Sequence, residues 1–452
     1  MKITLDKIDM SYRDYIDFII IYNNKDREIL EIRDVAADIW RDIVLHDGIT
    51  EDQIVERIAS VYGCNPKDIV EDITSFLLDL YDSYVIKIDN QYKAKEVSLG
   101  YKEKSTDDYE GEVIQKMQEY NQLYSVTFEM TYACNERCIH CYANYPEESN
   151  KSYIISIEKY KEIIDDLYDM KCMHISFTGG DPFMYKGFFE VFEYARSRGF
   201  VCDIYTNALY ISEHEETANK IIALRPRAFY ISLYGPEAET HDKITCIPSS
   251  FDKTVKAVKN LRAHDVSVIF NIMLLSVNCE KIEDIVAFAK SLKADYRVGM
   301  SLIYKNNGDD APMKYFINDK TKVKKVLNVV RQNFYQNEIA VDSKIQSEKI
   351  CGAASSSLSV SPDGSVYPCI SLKTKLGSIR ENKISDIWYS KARTDFRDKI
   401  VWKNTRQCLK CKTRKECAHC IGISEAETGD MFSCNTCDKL ISECMYELNH
   451  SV

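Results

Sequence analysis

Three cysteines, Cys134, Cys138 and Cys141, fall within the eight residues 134–141 of the stretch "CNERCIHCY". A disulfide uses two thiols and a closed structural zinc site uses four ligands, so three thiols leave a coordination position open. A cubane of four irons takes four terminal ligands. Three cysteinates on one short loop would hold it from one side and leave one iron free for a non-protein ligand. Zinc with His140 as fourth ligand is the alternative, made sterically awkward because His140 adjoins Cys141.

The other thiols are unevenly spread. Of 17 cysteines, nine lie from residue 351 onward: Cys351, Cys369, Cys408, Cys411, Cys417, Cys420, Cys434, Cys437 and Cys444. The N-terminal stretch "MKITLDKIDMSYRDY" contains no apolar run of the secretory kind, so a reducing, cytoplasmic setting is expected, where such a density points to metal or redox chemistry rather than disulfides. Cys64, Cys172, Cys202, Cys246 and Cys279 stand singly and read as small buried hydrophobes. Paired zinc sites built on C408-x2-C411 and C417-x2-C420 remain open at this point. Cys351 and Cys369 flank "SVSPDGSVYP", a hairpin with an Asp363–Gly364 turn. A further turn, "TGGDP" (178–182), places two glycines where backbone can approach a ligand closely.

The elements that must position these groups alternate in type. Strands are expected at 125–131, 174–178, 201–206, 229–234, 266–275 and 297–304. Helices are expected near 157–167, 187–199, 214–224, 251–261 and 281–292. Six strands and five helices in alternation imply an α/β fold with a parallel sheet and right-handed crossovers, an open, partial (β/α)6 barrel of the TIM type. Reacting groups in such sheets gather beyond the carboxyl ends of the strands, where the cysteine loop begins. Residues 1–95 read as a winged-helix-like α+β domain, with strands in "FIIIYN" and "REILEIR" and helices at 34–46, 50–62 and 66–82. A charged linker (96–118) turns helical at its end, and 305–350 bridges to the tail with one helix near 319–335.

Composition bounds the partners. The net charge of −11 argues against nucleic acid, and the apolar runs are too short to cross a bilayer. At 45% apolar and 29% charged residues the chain has an ordinary globular balance.

Cys134, Cys138 and Cys141 match the C-x3-C-x2-C signature of the radical S-adenosylmethionine (SAM) superfamily, and the chain resembles it also in carrying "TGGDP" after the second strand, where the family has a GGEP-type motif. The resemblance implies a 4Fe–4S cluster whose open iron is chelated by SAM, reductive cleavage of the SAM C5′–S bond, and hydrogen abstraction by a 5′-deoxyadenosyl radical. It implies cofactor contacts from Tyr142, Gly179, Gly180, Asp181 (Glu in the usual motif), Asn207 at the end of the third strand and Ser232 on the fourth. The order of a cysteine pair, a hairpin, a cysteine-dense knot and late cysteines (351–452) resembles the SPASM domain, although "CAHC" has one residue fewer than the usual spacing before the fourth knot cysteine. By that resemblance Cys351, Cys369 and Cys420 hold one auxiliary 4Fe–4S cluster, and Cys408, Cys411, Cys417 and Cys437 hold another, which makes three clusters. Cys434 and Cys444 are left unassigned.

The N-terminal domain resembles a RiPP recognition element, a module that binds the leader of a ribosomally made, post-translationally modified peptide as an added strand. A DNA-binding winged helix is the alternative, disfavoured by Glu51, Asp52, Glu56, Asp68, Glu71 and Asp72 on its helices. Together the resemblances imply a cytoplasmic maturase of the sactipeptide or ranthipeptide kind, joining a Cys sulfur of a precursor peptide to carbon. A flavodoxin or ferredoxin would serve as electron donor, and neither nucleic acid nor membrane is an expected partner. Carbon–carbon crosslinking, epimerisation and formylglycine formation are the alternatives within the same fold.

Overall fold

The computed structural model describes residues 1–7, 9–25, 27–89, 106–143, 154–334, 349–405 and 407–450. The expected linker before residue 106 and the bridge at 335–348 lie outside the described residues. The N-terminal unit starts with β1 (Ile3–Leu5). An antiparallel sheet of β2 (Met10–Asp14), β3 (Ile19–Asn23) and β4 (Ile29–Ile32) follows. Then come α1 (Asp34–Leu45), α2 (Glu51–Tyr62) and α3 (Pro66–Asp82), and β5 (Ile86–Ile88) returns to pair with β1. The helix starts follow from their caps: Thr50 and Gln53 form a reciprocal capping box, and Asn65 caps α3 ahead of Pro66.

Strand β3 is apolar on both faces because both are covered. Ile19 and Ile21 pack with Trp40, Ile43 and Leu77 of the helices. Phe18, Ile20 and Tyr22 pack with Val113, Met117, Tyr124, Met173 and Val201 outside the unit. Arg13 secures this docking: its Nε donates to Cys172 O at 2.8 Å and Nη1 to Gly199 O at 3.0 Å. Both acceptors precede strands of the main sheet, so the N-terminal unit sits at the amino end of the barrel.

Helix α4 (Thr106–Glu119) leads into six parallel strands in sequence order: β6 (Ser125–Glu129), β7 (His174–Thr178), β8 (Val201–Thr206), β9 (Ala228–Ser232), β10 (Val268–Met273) and β11 (Asp295–Gly299). The crossovers use α5 (Ile157–Asp169), α6 (Phe188–Ser197), α7 (Leu209–Glu213), α8 (Glu215–Ala223), α9 (Ala238–Thr245), α10 (Ser250–Ala263) and α11 (Ile282–Ser291), and α12 (Lys320–Phe334) follows the last strand. One parity of the strands, including Phe128, Phe177, Ile204, Ile231 and Phe270, is buried with Tyr160, Leu167 and Phe192 of the helices. The other parity lines the lumen and is polar at the carboxyl end.

Two features depart from expectation. The helix expected at 214–224 is present as α8, but an unexpected short helix, α7, precedes it, and the two are separated at His214, whose backbone leaves the helical region (φ −125°, ψ 72°). The sheet also does not stop at six strands: the tail hairpin β12 (Ser357–Val360) and β13 (Ser365–Tyr367) joins it, with β12 parallel to β6, and β14 (Gly377–Ser378) closes the edge of a nine-stranded sheet. The tail is thus fused to the barrel through its sheet. Among the described residues no helix is long and apolar enough to cross a membrane.

Candidate active site

The cysteine loop leaves the carboxyl end of β6 and is gripped on two sides. On one side Arg137 N–H donates to Thr245 O at 2.9 Å and Ile139 N–H to Ile244 O at 3.0 Å. These carbonyls end α9 and have no partner within their own helix, so the loop completes the helix and the helix shapes the loop. On the other side the turn after β7 lies directly against the loop: Gly180 N–H donates to Thr131 O at 2.6 Å and Asp181 N–H to Ala133 O at 3.0 Å. A Cβ on Gly179 would stand 2.2 Å from Thr131 O, and one on Gly180 2.3 Å from Ala133 O, while Gly179 also has φ +131°. The close approach that requires these glycines is therefore made by the cysteine loop itself.

Asp181 is fully buried and its carboxylate is engaged. It accepts Phe183 N–H at 3.0 Å, Thr206 Oγ1–H at 2.6 Å and Asn207 N–H at 3.1 Å. Asn207 in turn donates to Asn135 Oδ1 at 2.6 Å and lies 3.7 Å from Cys134 Sγ. A continuous chain of hydrogen bonds therefore runs from the β7 turn through the end of β8 to the first cysteine. Ser232 ends β9 in register with Asn271 and bonds the Tyr234 hydroxyl. Tyr142 is engaged by Glu129: its hydroxyl donates to Glu129 Oε1 at 3.0 Å, and Tyr132 donates to Glu129 Oε2 at 3.2 Å.

The three thiols lie half-buried and within electrostatic reach of one another. Burial pushes the Cys134 thiol up to about 12 and the Cys138 thiol well above its ordinary value. Cys138 donates to Glu136 Oε2 at 3.2 Å, and burial raises Glu136 to about 8. His140 packs edge-on against Tyr234, with ring centroids 4.8 Å apart, and burial lowers it to about 4. Glu136 Oε1, His140 Nδ1 and His241 Nε2 are buried here without a partner. Thiolates in such a place require a cationic partner, and an iron–sulfur cluster is one that three cysteines suit. Among the described residues no three Cys, His, Asp or Glu side chains converge as they would around a single metal ion.

Sequence reasoning did not single out Glu129, Tyr132, Glu136 or Tyr234, nor the carbonyls that end α9. The signal for Glu129 was present: in "SVTFE" it falls on the parity opposite Val126 and Phe128, the lumen side. In the tail, Cys351, Cys369 and Cys420 lie within electrostatic reach of one another, and Cys408 lies near Cys411 and Cys417. Cys437 is fully buried against Leu302 and Tyr234, in an apolar layer that also packs on Cys138 and Ile139.

Comparison with known proteins agrees with this arrangement. Residues 128–289 match the Radical SAM superfamily, and residues 351–420 match the iron-sulfur cluster-binding domain SPASM. The AdoMet-dependent heme synthase of Methanosarcina barkeri is 25% identical over 68% of this chain and 93% of its own. The antilisterial bacteriocin subtilosin biosynthesis protein AlbA of Bacillus subtilis is 22% identical over 75% of this chain and 73% of its own. Among solved structures, Streptococcus suis SuiB bound to precursor peptide SuiA superposes with a TM-score of 0.60 at 16% identity, covering 97% of this chain and 100% of that one, a likeness of fold. The chain carries a radical SAM domain on its partial barrel and a SPASM iron–sulfur domain in its tail.

Proposed function

We propose that the protein is a peptide maturase that joins a substrate Cys sulfur to carbon, forming a thioether. One observation carries the reading: three half-buried thiols stand at the carboxyl mouth of a polar-lined barrel, and two further groups of thiols stand in a tail fused to the same sheet. When bound, SAM and the cluster on Cys134, Cys138 and Cys141 supply a carbon radical able to abstract hydrogen, with electrons delivered by a flavodoxin or ferredoxin. Asn207 and the β7 turn orient the loop that holds the cluster. Ser232, Asn271 and Thr178 offer hydrogen bonds to a cofactor in the lumen, while Glu129 holds Tyr142 and Tyr132 back from it. Two auxiliary 4Fe–4S clusters in the tail, making three in all, can accept the electron released at ring closure.

The peptide reading is supported by the N-terminal unit. A fold likeness to a protein crystallised with a precursor peptide extends over 97% of the chain, and a relative concerned with bacteriocin biosynthesis matches 75% of it. We assign residues 1–95 to leader recognition in a winged-helix-like unit, acting in the cytoplasm. The reaction balances as loss of S–H and C–H hydrogen and gain of one C–S bond: one hydrogen goes to the SAM-derived radical, one leaves as a proton, and one electron passes to the tail.

The test is anaerobic reconstitution with SAM, a low-potential reductant and the short cysteine-containing peptides encoded beside the gene. Mass spectrometry should show loss of two hydrogens with one thiol no longer open to alkylation. A product lighter by two hydrogens with every thiol still free would replace the thioether by a carbon–carbon crosslink.

A further inference from the structure

The start of the C-terminal helix Thr436–His450 is fastened to Cys420. Asp438 Oδ2 accepts Cys420 N–H at 2.6 Å and the Asn435 side-chain amide at 2.7 Å, and Asn435 Nδ2 also reaches Cys420 O at 3.5 Å. Cys434 and Cys437 each precede one residue of this clamp and face different ways. Cys434 is exposed and lies within electrostatic reach of Cys408, Cys411 and Cys417. Cys408 starts and Cys411 and Cys417 close two successive short turns, Cys408–Lys410 and Arg414–Glu416, that pack on one another, the second also packing on the C-terminal helix. The tie between Thr413 Oγ1 and Ser442 Oγ, at 3.1 Å, holds that contact, with Cys411 Sγ 3.3 Å from the same threonine hydroxyl. Cys437 is buried on the other side, where its sulfur accepts Leu302 N–H, Cys420 is within reach, and its apolar neighbours lead to the cysteine loop.

From this geometry we infer that Cys434 is the fourth thiolate of the Cys408–Cys411–Cys417 group, and that Cys437 is the fourth thiolate of the Cys351–Cys369–Cys420 group. Both auxiliary clusters are then closed by protein ligands, since a 4Fe–4S cluster takes four. The barrel-side cluster meets the catalytic loop through the layer of Cys437, Leu302 and Ile139. An electron leaving the barrel has that layer as its way into the tail, and a substrate sulfur binds iron there only where Cys437 gives way. The proposal rests on the reading that the tail holds two clusters.

Iron content and electron paramagnetic spectra of the anaerobically reconstituted full chain test it in paired backgrounds. In a Cys351→Ala/Cys369→Ala chain, Cys434→Ala should lower iron or change the remaining auxiliary signal, and Cys437→Ala should change neither. In a Cys408→Ala/Cys411→Ala chain the pattern should reverse. The crossed pattern, or a Cys437→Ala change silent in both backgrounds, overturns the proposal. A check that needs no variant uses the exposure of Cys434: it should resist alkylation in the loaded chain and react at least tenfold faster once iron is chelated away. Equal rates in the two forms overturn its assignment. Unsubstituted chain that binds only one cluster's worth of iron overturns instead the two-cluster reading beneath it.

Discussion

Glu129 shows how a single lumen residue acquires its meaning. Burial raises its carboxyl from 4.5 to about 7, and the hydroxyls of Tyr142 and Tyr132 offset only part of that cost. Between these values the unfolded chain is ionised while the native one keeps its proton. The stabilising contribution is therefore complete below 4.5, falls by about 1.4 kcal/mol per pH unit above it, and is lost as pH passes about 7. Glu129→Gln removes this dependence, so its melting temperature should fall less steeply from pH 5 to 7 than that of the parent chain. Parallel profiles would contradict the account. The three thiols were legible in the sequence because few structures use cysteines at spacings of three and two in one loop. The destination of Tyr142 was not, because it depends on the loop folding back over β6. The resemblance implies a cofactor contact from Asp181, but three internal donors occupy its carboxylate.

The contact between the β7 turn and the cysteine loop is one of backbone on backbone, so it tolerates no side chain. Gly180→Ala should cost at least about 2 kcal/mol and reduce iron retention by the cysteine loop, since a methyl there meets a carbonyl that cannot swing aside. Gly63→Ala is the comparison: that glycine ends α2 at φ +65° with open space around it, and the change should cost only about 1 kcal/mol. Denaturant titrations of the two variants separate these cases, and equal losses would show that the close approach is not what matters. The six parallel strands were legible from their β-branched and aromatic runs. Helix α9 was not, because Gly235-Pro236 is a turn signal and the helix that follows it has only eight residues. The pairing of β12 with β6 joins residues more than 200 positions apart, such as Ser357 with Ser125, and local pattern carries no trace of it.

At the scale of the whole molecule, the N-terminal unit and the three thiols occupy opposite ends of the barrel. The N-terminal unit is docked through Arg13, Phe18 and Tyr22 at the amino ends of the strands, and the thiols stand at the carboxyl ends. On the proposed assignment of leader recognition to that unit, a bound leader and a core segment entering the mouth are joined by chain that passes along the outside of the barrel. Deleting residues 1–95 would bare Tyr124, Met173 and Val201, so loss of the unit perturbs the barrel itself. Everything proposed for the protein depends on the loop 134–141 holding a cluster that cleaves SAM. The release of 5′-deoxyadenosine by the anaerobically reconstituted chain, with SAM and a low-potential reductant, tests that most directly. The intact protein should release it, while the Cys134→Ala/Cys138→Ala/Cys141→Ala variant should release none and keep about two thirds of the iron, its tail clusters remaining in place. Undiminished release by the triple variant, or none by the intact chain, would contradict the account.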